Sequence, residues 1–279
     1  MLITVLKYVG LIIISYLLGS IIFGRLLSKL QKDDITKHGS GNPGTTNMLR
    51  NYGVMYGLLT FVLDALKGVA AALIGYFMFG GADGGVVARA AIYIGGVSAV
   101  IGHMFPIFFK FKGGKGVATA SGIAFVAHPI VGAILFVVYI VLLLLIRIGS
   151  VCSLIVALAY AITDTVMLIM EQNYVGLGLL YFVILLIIWA HRENIKRLLN
   201  KKENVLDLNE AVQKDIDRFN ALKNKKKNKN SQVELKEEQN EIETNKVTVT
   251  ETKQVANDED NKPNNNENDK TNNNKNENE

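Results

Sequence analysis

The 279-residue chain is 49% hydrophobic and carries a formal charge of +5. Its mean hydropathy of +0.24 averages two unlike polymers: residues 1–189 are dominated by Ile, Leu, Val, Gly, Ala and Phe, and from about Lys201 onward the chain is mostly Lys, Asn, Glu and Asp. The charges sit in loops beside apolar runs and in a mixed-sign tail, which argues against nucleic-acid binding, and a single cysteine, Cys152, excludes a disulfide framework within the chain.

A helix that crosses a bilayer needs about 20 mainly apolar residues. In chain order the runs 2–27, 53–79, 87–109, 116–146, 151–170 and 175–189 qualify or come close. The first lacks a basic leader beyond Lys7 and is longer than the core of a signal peptide, so it predicts a retained span. The fourth is too long for one untilted crossing and contains Ala127-His128-Pro129. The residue before a proline is pushed out of helical geometry, so this run predicts two spans, the first of them short, joined at His128-Pro129. The fold class expected is therefore all-α and polytopic, with seven transmembrane helices.

Basic residues set the orientation. Arg25, Lys29, Lys32, Lys37 and Arg50 fall in the first loop, Lys110, Lys112 and Lys115 in another, Arg147 after the fifth span, and Arg192, Lys196, Arg197, Lys201 and Lys202 after the last. Segments 80–85 and 171–174 carry no Lys or Arg. Seven spans with the N-terminus outside and the C-terminus in the cytosol place every basic loop inside. Within the spans, Asp64 and Lys67 lie three apart on one helical face and are expected to pair. Arg89 is expected to snorkel at the outer edge, His128 to serve the turn, and Cys152 to be a buried thiol.

Three polar segments then share the cytosolic face. The first reads His38-Gly39-Ser40-Gly41-Asn42-Pro43-Gly44-Thr45-Thr46-Asn47, followed by Arg50. It matches G-x-G-x-x-G literally, but no strand precedes it and Asp64 falls in an apolar span, so it is no dinucleotide fingerprint. Its glycines still let backbone N–H groups approach an oxyanion, beside the donors Ser40, Thr45, Thr46 and Asn47 and the fork of Arg50. The second segment ends in Gly113-Gly114-Lys115-Gly116. It lacks the outer glycine and the Ser or Thr of a nucleotide-binding P-loop. It opens a helix, where amides and dipole favour an anion, and Lys115 adds a cation able to neutralise a phosphate or a developing oxyanion. The third, His191-Arg192-Glu193-Asn194-Ile195-Lys196-Arg197-Leu198, puts His191 and Asn194 on one helical face.

In this spelling the three segments resemble the signatures of the bacterial acyl-phosphate:glycerol-3-phosphate acyltransferases: Gly39 to Asn47 with Arg50; Gly102-His103 through Phe105-Pro106, Phe108 and Phe111 to Gly113-Gly114-Lys115-Gly116-Val117-Ala118-Thr119; and His191-Arg192 with Asn194-Ile195 and Arg197-Leu198. The resemblance covers residues 1–199. It implies a seven-helix membrane enzyme that moves an acyl group from acyl phosphate to the 1-hydroxyl of glycerol 3-phosphate, giving lysophosphatidic acid, with no metal, nucleotide or other cofactor. By motif position Ser40, Arg50, Lys115, His191 and Asn194 would carry catalysis and substrate binding. Gly39, Gly41, Asn42, Gly44, Thr45, Thr46, Asn47, Gly113, Gly114 and Gly116 would line the substrates, and a substrate phosphate would take the hydroxyl proton. Two positions depart from the family pattern: Ile22 stands where proline is common, and Lys201 where a glycine usually precedes the acidic residue, here Glu203.

The expected partners are acyl phosphate, glycerol 3-phosphate and the lipid bilayer, with the chain monomeric and an upstream enzyme supplying acyl phosphate. A transporter of glycerol phosphate or a related organic anion is the alternative class. Transport sites favour the midplane and internal repeats, whereas these motifs lie at one edge. The division expected is a membrane domain over residues 1–200 and a low-complexity cytosolic tail over 201–279. That tail is expected to be disordered except where Leu206, Leu208, Val212, Ile216 and Phe219 could form a short amphipathic helix.

Overall fold

The computed structural model describes residues 1–260, and these contain helices and turns with no strand. Helices α1 (Leu2–Gly19) and α2 (Phe23–Leu30) form one apolar run broken at Ile22, whose backbone is extended (φ −101°, ψ 96°). The break occurs without a proline. A broken helix leaves carbonyls without intrahelical donors, and here Lys67 supplies them: its Nζ donates to Gly19 O (3.0 Å) and Ile21 O (2.6 Å). The same ammonium lies 2.8 Å from Asp64 and 2.8 Å from His103 Nδ1, so the expected Asp64–Lys67 pair forms, wholly buried.

Helix α3 (Thr45–Tyr52) is separated by Gly53 alone from α4 (Val54–Met78). Next come α5 (Gly85–Met104), α6 (Val117–Ala127), α7 (Pro129–Ile146), α8 (Gly149–Met170), α9 (Tyr174–Ala190) and α10 (Arg192–Leu199). The overlong fourth run does break at His128, with Pro129 opening α7, where its missing N–H costs nothing. Among the described residues five segments are long and apolar enough to cross a membrane, and α9 with α10, bent by 51°, makes a sixth. Helix α6 has 11 residues, so at 1.5 Å per residue it reaches about 16 Å, roughly half of a hydrocarbon core.

Buried Tyr93, Ile123, Leu168, Leu180 and Ile187 form the main core among α5, α6, α8 and α9. Ile3, Leu6, Ile134, Val137, Leu145, Ile162 and Leu185 instead point outward and are more than half exposed. An apolar shell of that extent suits lipid rather than water. At one end of the bundle His128 bonds to Asp164 and, at 3.3 Å, to Glu171, which also meets Arg89 at 3.4 Å. Glu171 terminates α8, 22 residues from the end where Gly149 packs on Thr46. That is about 33 Å of helix, so the three polar motifs gather at the opposite end.

Helix α11 (Leu208–Asp260) occupies much of the stretch whose composition predicts disorder. Its Lys, Glu, Gln and Ala are good helix formers, and pairs such as Glu210–Lys214 (2.6 Å) and Gln213–Asp217 (2.8 Å) support it locally. Residues 261–279 of the expected disordered tail lie outside the described residues. The chain divides into a unit Met1–Arg218 and a second from Phe219 onward. Of the anticipated apolar positions, Leu206 is buried and Leu208 packs on the same cluster, whereas Val212, Ile216 and Phe219 are exposed.

Candidate active site

The first motif is shaped by one side chain. Asn47, buried in the first turn of α3, accepts from Ser40 N (3.1 Å) and Asn51 Nδ2 (3.1 Å) and donates to His38 O (3.0 Å) and Ile35 O (3.3 Å). All four of its hydrogen-bonding positions are thereby spent on the loop. Gly39 (φ +55°) passes so close to the Asn47 carboxamide that a Cβ would collide with it. The loop thus brings Ser40, Asn42, Gly44, Thr45 and Thr46 to a cavity, with Arg50 one turn further along α3. Thr45 Oγ1 and Arg50 Nε are buried in this region without a protein partner. Such groups are costly unless a ligand satisfies them.

In the second motif Gly114 N donates to His103 O (3.0 Å), and Gly113 and Gly114 pack on His103 too closely for any side chain. Neither lines the cavity, nor do Gly39 and Gly41. These four serve close packing and turn geometry. Gly116, in the left-handed region (φ +83°), turns the chain into α6 and lines the cavity with Lys115.

Lys115 Nζ donates to Asn194 Oδ1. Asn194 Nδ2 donates to Glu203 (2.7 Å), which also accepts from Arg197 Nε (2.8 Å) and Ser150 Oγ (3.0 Å). Burial alone would raise the Glu203 pKa, but hydrogen bonds from Asn194, Arg197 and Ser150 outweigh it and hold the carboxyl below the usual range. His191 Nδ1 lies 2.8 Å from Ile187 O. A carbonyl only accepts, so Nδ1 carries the proton and Nε2 of the neutral ring is an acceptor. Arg50 Nη2 donates to Asn204 O (3.3 Å).

Burial, against the opposing pull of Glu203, lowers the Lys115 pKa to about 8, helped by the positive charges of Arg197 and Arg50. The ammonium is thus present below about pH 8 and lost above it. If Lys115 binds an anionic substrate, kcat/KM, which reports the free enzyme, should fall as pH rises through about 8. A profile flat to pH 9.5 in wild type would remove Lys115 from the binding step.

All five residues anticipated as catalytic, Ser40, Arg50, Lys115, His191 and Asn194, line this one cavity. Sequence reasoning missed Glu203, Asn204, Gly149 and Ser150, which line it too. The signal for Glu203 was its place as the acidic residue closing the third motif. Lys201, where glycine is usual, has φ +55°, which explains why glycine is preferred there.

The cavity continues inward as an apolar arm, past Leu135, Phe136, Ile184 and Ile187 to Tyr93, Tyr160 and Leu180. Tyr160 lies three turns down α8 from Gly149, about 16 Å along the axis. The arm therefore extends over roughly half the thickness of a hydrocarbon core.

Fold and cavity together define a multi-pass helical membrane protein with a cationic pocket at one end of its bundle. The family model described as "Glycerol-3-phosphate acyltransferase" matches residues 9–201. A glycerol-3-phosphate acyltransferase of Aquifex aeolicus is 41% identical over 204 residues, 71% of this chain and 99% of that protein. Its counterpart in Mycoplasmopsis pulmonis is 37% identical over 71% of this chain and 92% of its own length. The solved structure of PlsY, an integral membrane glycerol 3-phosphate acyltransferase, in its glycerol 3-phosphate form is 39% identical, with a TM-score of 0.64 over 72% of this chain and 96% of that one. Its lysophosphatidic acid form gives 38% and 0.62. The chain belongs to the glycerol-3-phosphate acyltransferase family.

Proposed function

We propose that the protein transfers a fatty acyl group from acyl phosphate to the 1-hydroxyl of glycerol 3-phosphate, releasing lysophosphatidic acid and inorganic phosphate. The observation that carries this reading is the shape and chemistry of one cavity: Arg50, Lys115, Thr45 and Ser40 at the mouth, and an apolar arm behind them. An acyl phosphate has the same layout, an anionic head on an alkyl chain.

The acyl phosphate is an activated mixed anhydride, so the protein mainly positions two phosphates and stabilises the tetrahedral oxyanion. Arg50 and Lys115 hold the phosphates, with Ser40 and the α3 N-terminal amides on the acyl phosphate. His191 Nε2 accepts from a hydroxyl of the glycerol moiety, and Asn194, oriented by Glu203, fixes that substrate beside Lys115. The 1-oxygen bonds to the acyl carbon, the carbon–oxygen bond to phosphate breaks, and the hydroxyl proton passes to a phosphate oxygen. No metal or other cofactor takes part in this scheme, and the chain acts as a monomer fed by an acyl-phosphate-producing enzyme.

The proposed topology has seven crossings, an outer N-terminus and a cytosolic site. Two things support it: the basic loops, and the position of His128. Helix α6 starts at the motif end, and the residue that closes it bonds to Glu171 at the far end. Purified protein, acyl phosphate and glycerol 3-phosphate should yield lysophosphatidic acid and phosphate; no product from wild type would sink the reading. A chain ending at Asn230 should retain full activity, because every cavity residue precedes it. A large loss in the same assay would refute that expectation.

A further inference from the structure

Helix α3 ends at Tyr52 and α4 begins at Val54, so two helix termini meet at Gly53. The end of α3 leaves carbonyls without donors, and the start of α4 leaves amides without acceptors. The Gly53 N–H caps Leu49 O (3.1 Å), but α4 has no side-chain cap and Gly53 has no side chain to offer, so the remaining groups need other partners. The first turns of α11 supply them. Lys214 Nζ donates to Arg50 O (2.7 Å) and Arg218 Nη1 to Tyr52 O (2.8 Å), while the Asp215 carboxylate accepts from Met55 N (3.0 Å).

The charges match the helix dipoles at both ends: two cations at the C-terminus of α3 and an anion at the N-terminus of α4. Arg218 also bonds to Asp215 (3.3 Å) and stacks over Tyr56 at 4.4 Å. Ala211 is 1% exposed, and Gly53 (φ +96°) lies so near Asp215 and Ala211 that a side chain there would be expelled. This contact lies beyond residue 201, where the match to the family model stops. It is built on the helix that carries Arg50, whose guanidinium is itself held by Asn204 O.

We propose that Lys214, Asp215 and Arg218 are positioning residues, forming a clamp in the segment beyond the family match that fixes α3 and so aims Arg50 at the substrate phosphate. The proposal rests on the phosphate-holding role of Arg50 described above. A misplacement of about 1 Å at a positioned group is enough to slow a reaction severely, and Arg50 stands two residues before Tyr52, the end of its helix, with its own carbonyl held by Lys214.

The test is a steady-state comparison in the full-length protein with acyl phosphate and glycerol 3-phosphate. Wild type, Lys214→Ala, Asp215→Ala, the triple variant Lys214→Ala/Asp215→Ala/Arg218→Ala and the control Gln213→Ala are each assayed with Arg50 present and with Arg50→Ala. The triple variant should raise KM for one phosphate substrate, lowering kcat/KM roughly tenfold, and Asp215→Asn, which still accepts from Met55 N, should restore most of what Asp215→Ala loses. In the Arg50→Ala background the clamp substitutions should have no further effect, since no guanidinium remains to be misplaced. The same tenfold loss in that background would show a general scaffold role and overturn the proposal, as would wild-type kinetics in the triple variant. Unchanged turnover in Arg50→Ala alone would remove the site reading beneath it, an outcome distinct from either.

Discussion

Lys115→Ala is expected to lower kcat by about 10²- to 10³-fold, the scale seen when one preorganised oxyanion-stabilising group is removed. Lys115 is held between the polar edge of the cavity and Asn194. In this partly buried site a charge is screened less than in water, so its loss cannot be made good by solvent. Lys115→Arg should restore little: a planar fork needs more room and a different approach than a compact ammonium, and Gly114 and Gly116 beside it are already packed against His103 and Val100. Thermal unfolding of Lys115→Ala should remain close to wild type. A fall in turnover of less than about tenfold would mean the ammonium is not aimed at developing charge.

The second large effect falls on stability. Lys67 and Asp64 are each about 1% exposed and 2.8 Å apart, and removing one partner of a buried pair costs about 3–5 kcal/mol because the other charge is left uncompensated. Lys67→Ala has an added consequence, since Gly19 O and Ile21 O lose their donor at the α1–α2 break. Asp64→Leu with Lys67→Met should therefore recover only part of the loss. Thermal unfolding in detergent decides this: single variants within about 1 kcal/mol of wild type would show that the pair is replaceable.

The three motifs were legible because their residue types are rare in apolar runs and because loop charge put them on one face. Their convergence on a single cavity follows from the same topology. What each side chain does there was less legible. Gly113 and Gly114 read as ligands by type, yet they pack on His103, while Asn47 lines the cavity as expected but spends its side chain on groups such as His38 and Ser40; no spacing rule brings these partners together. The break at Ile22 needed a lysine 45 positions later to hold it open. Glu203 sits at the start of a stretch so rich in Lys, Asn and Glu that composition cannot single it out, although its place at the end of a motif could. The same composition concealed the length of α11: the spacing of Leu208, Val212, Ile216 and Phe219 suggests its first turns, but the polar stretch after them offers no apolar periodicity, and those first turns dock through polar groups on helix ends.

Lys115 gives substrate binding a proton stoichiometry. With its pKa at about 8, about half the molecules at that pH hold a neutral amine. A phosphate group entering the cavity favours the ammonium, so the complex should draw a fraction of a proton from the medium. Calorimetric titration with glycerol 3-phosphate alone at about pH 8, repeated in two buffers of different ionisation enthalpy, would show it as a difference in apparent heat, and equal heats in both buffers at that pH would exclude it. The first event at the site would then be a protonation drawn from the buffer by the substrate's own charge, before any acyl group moves.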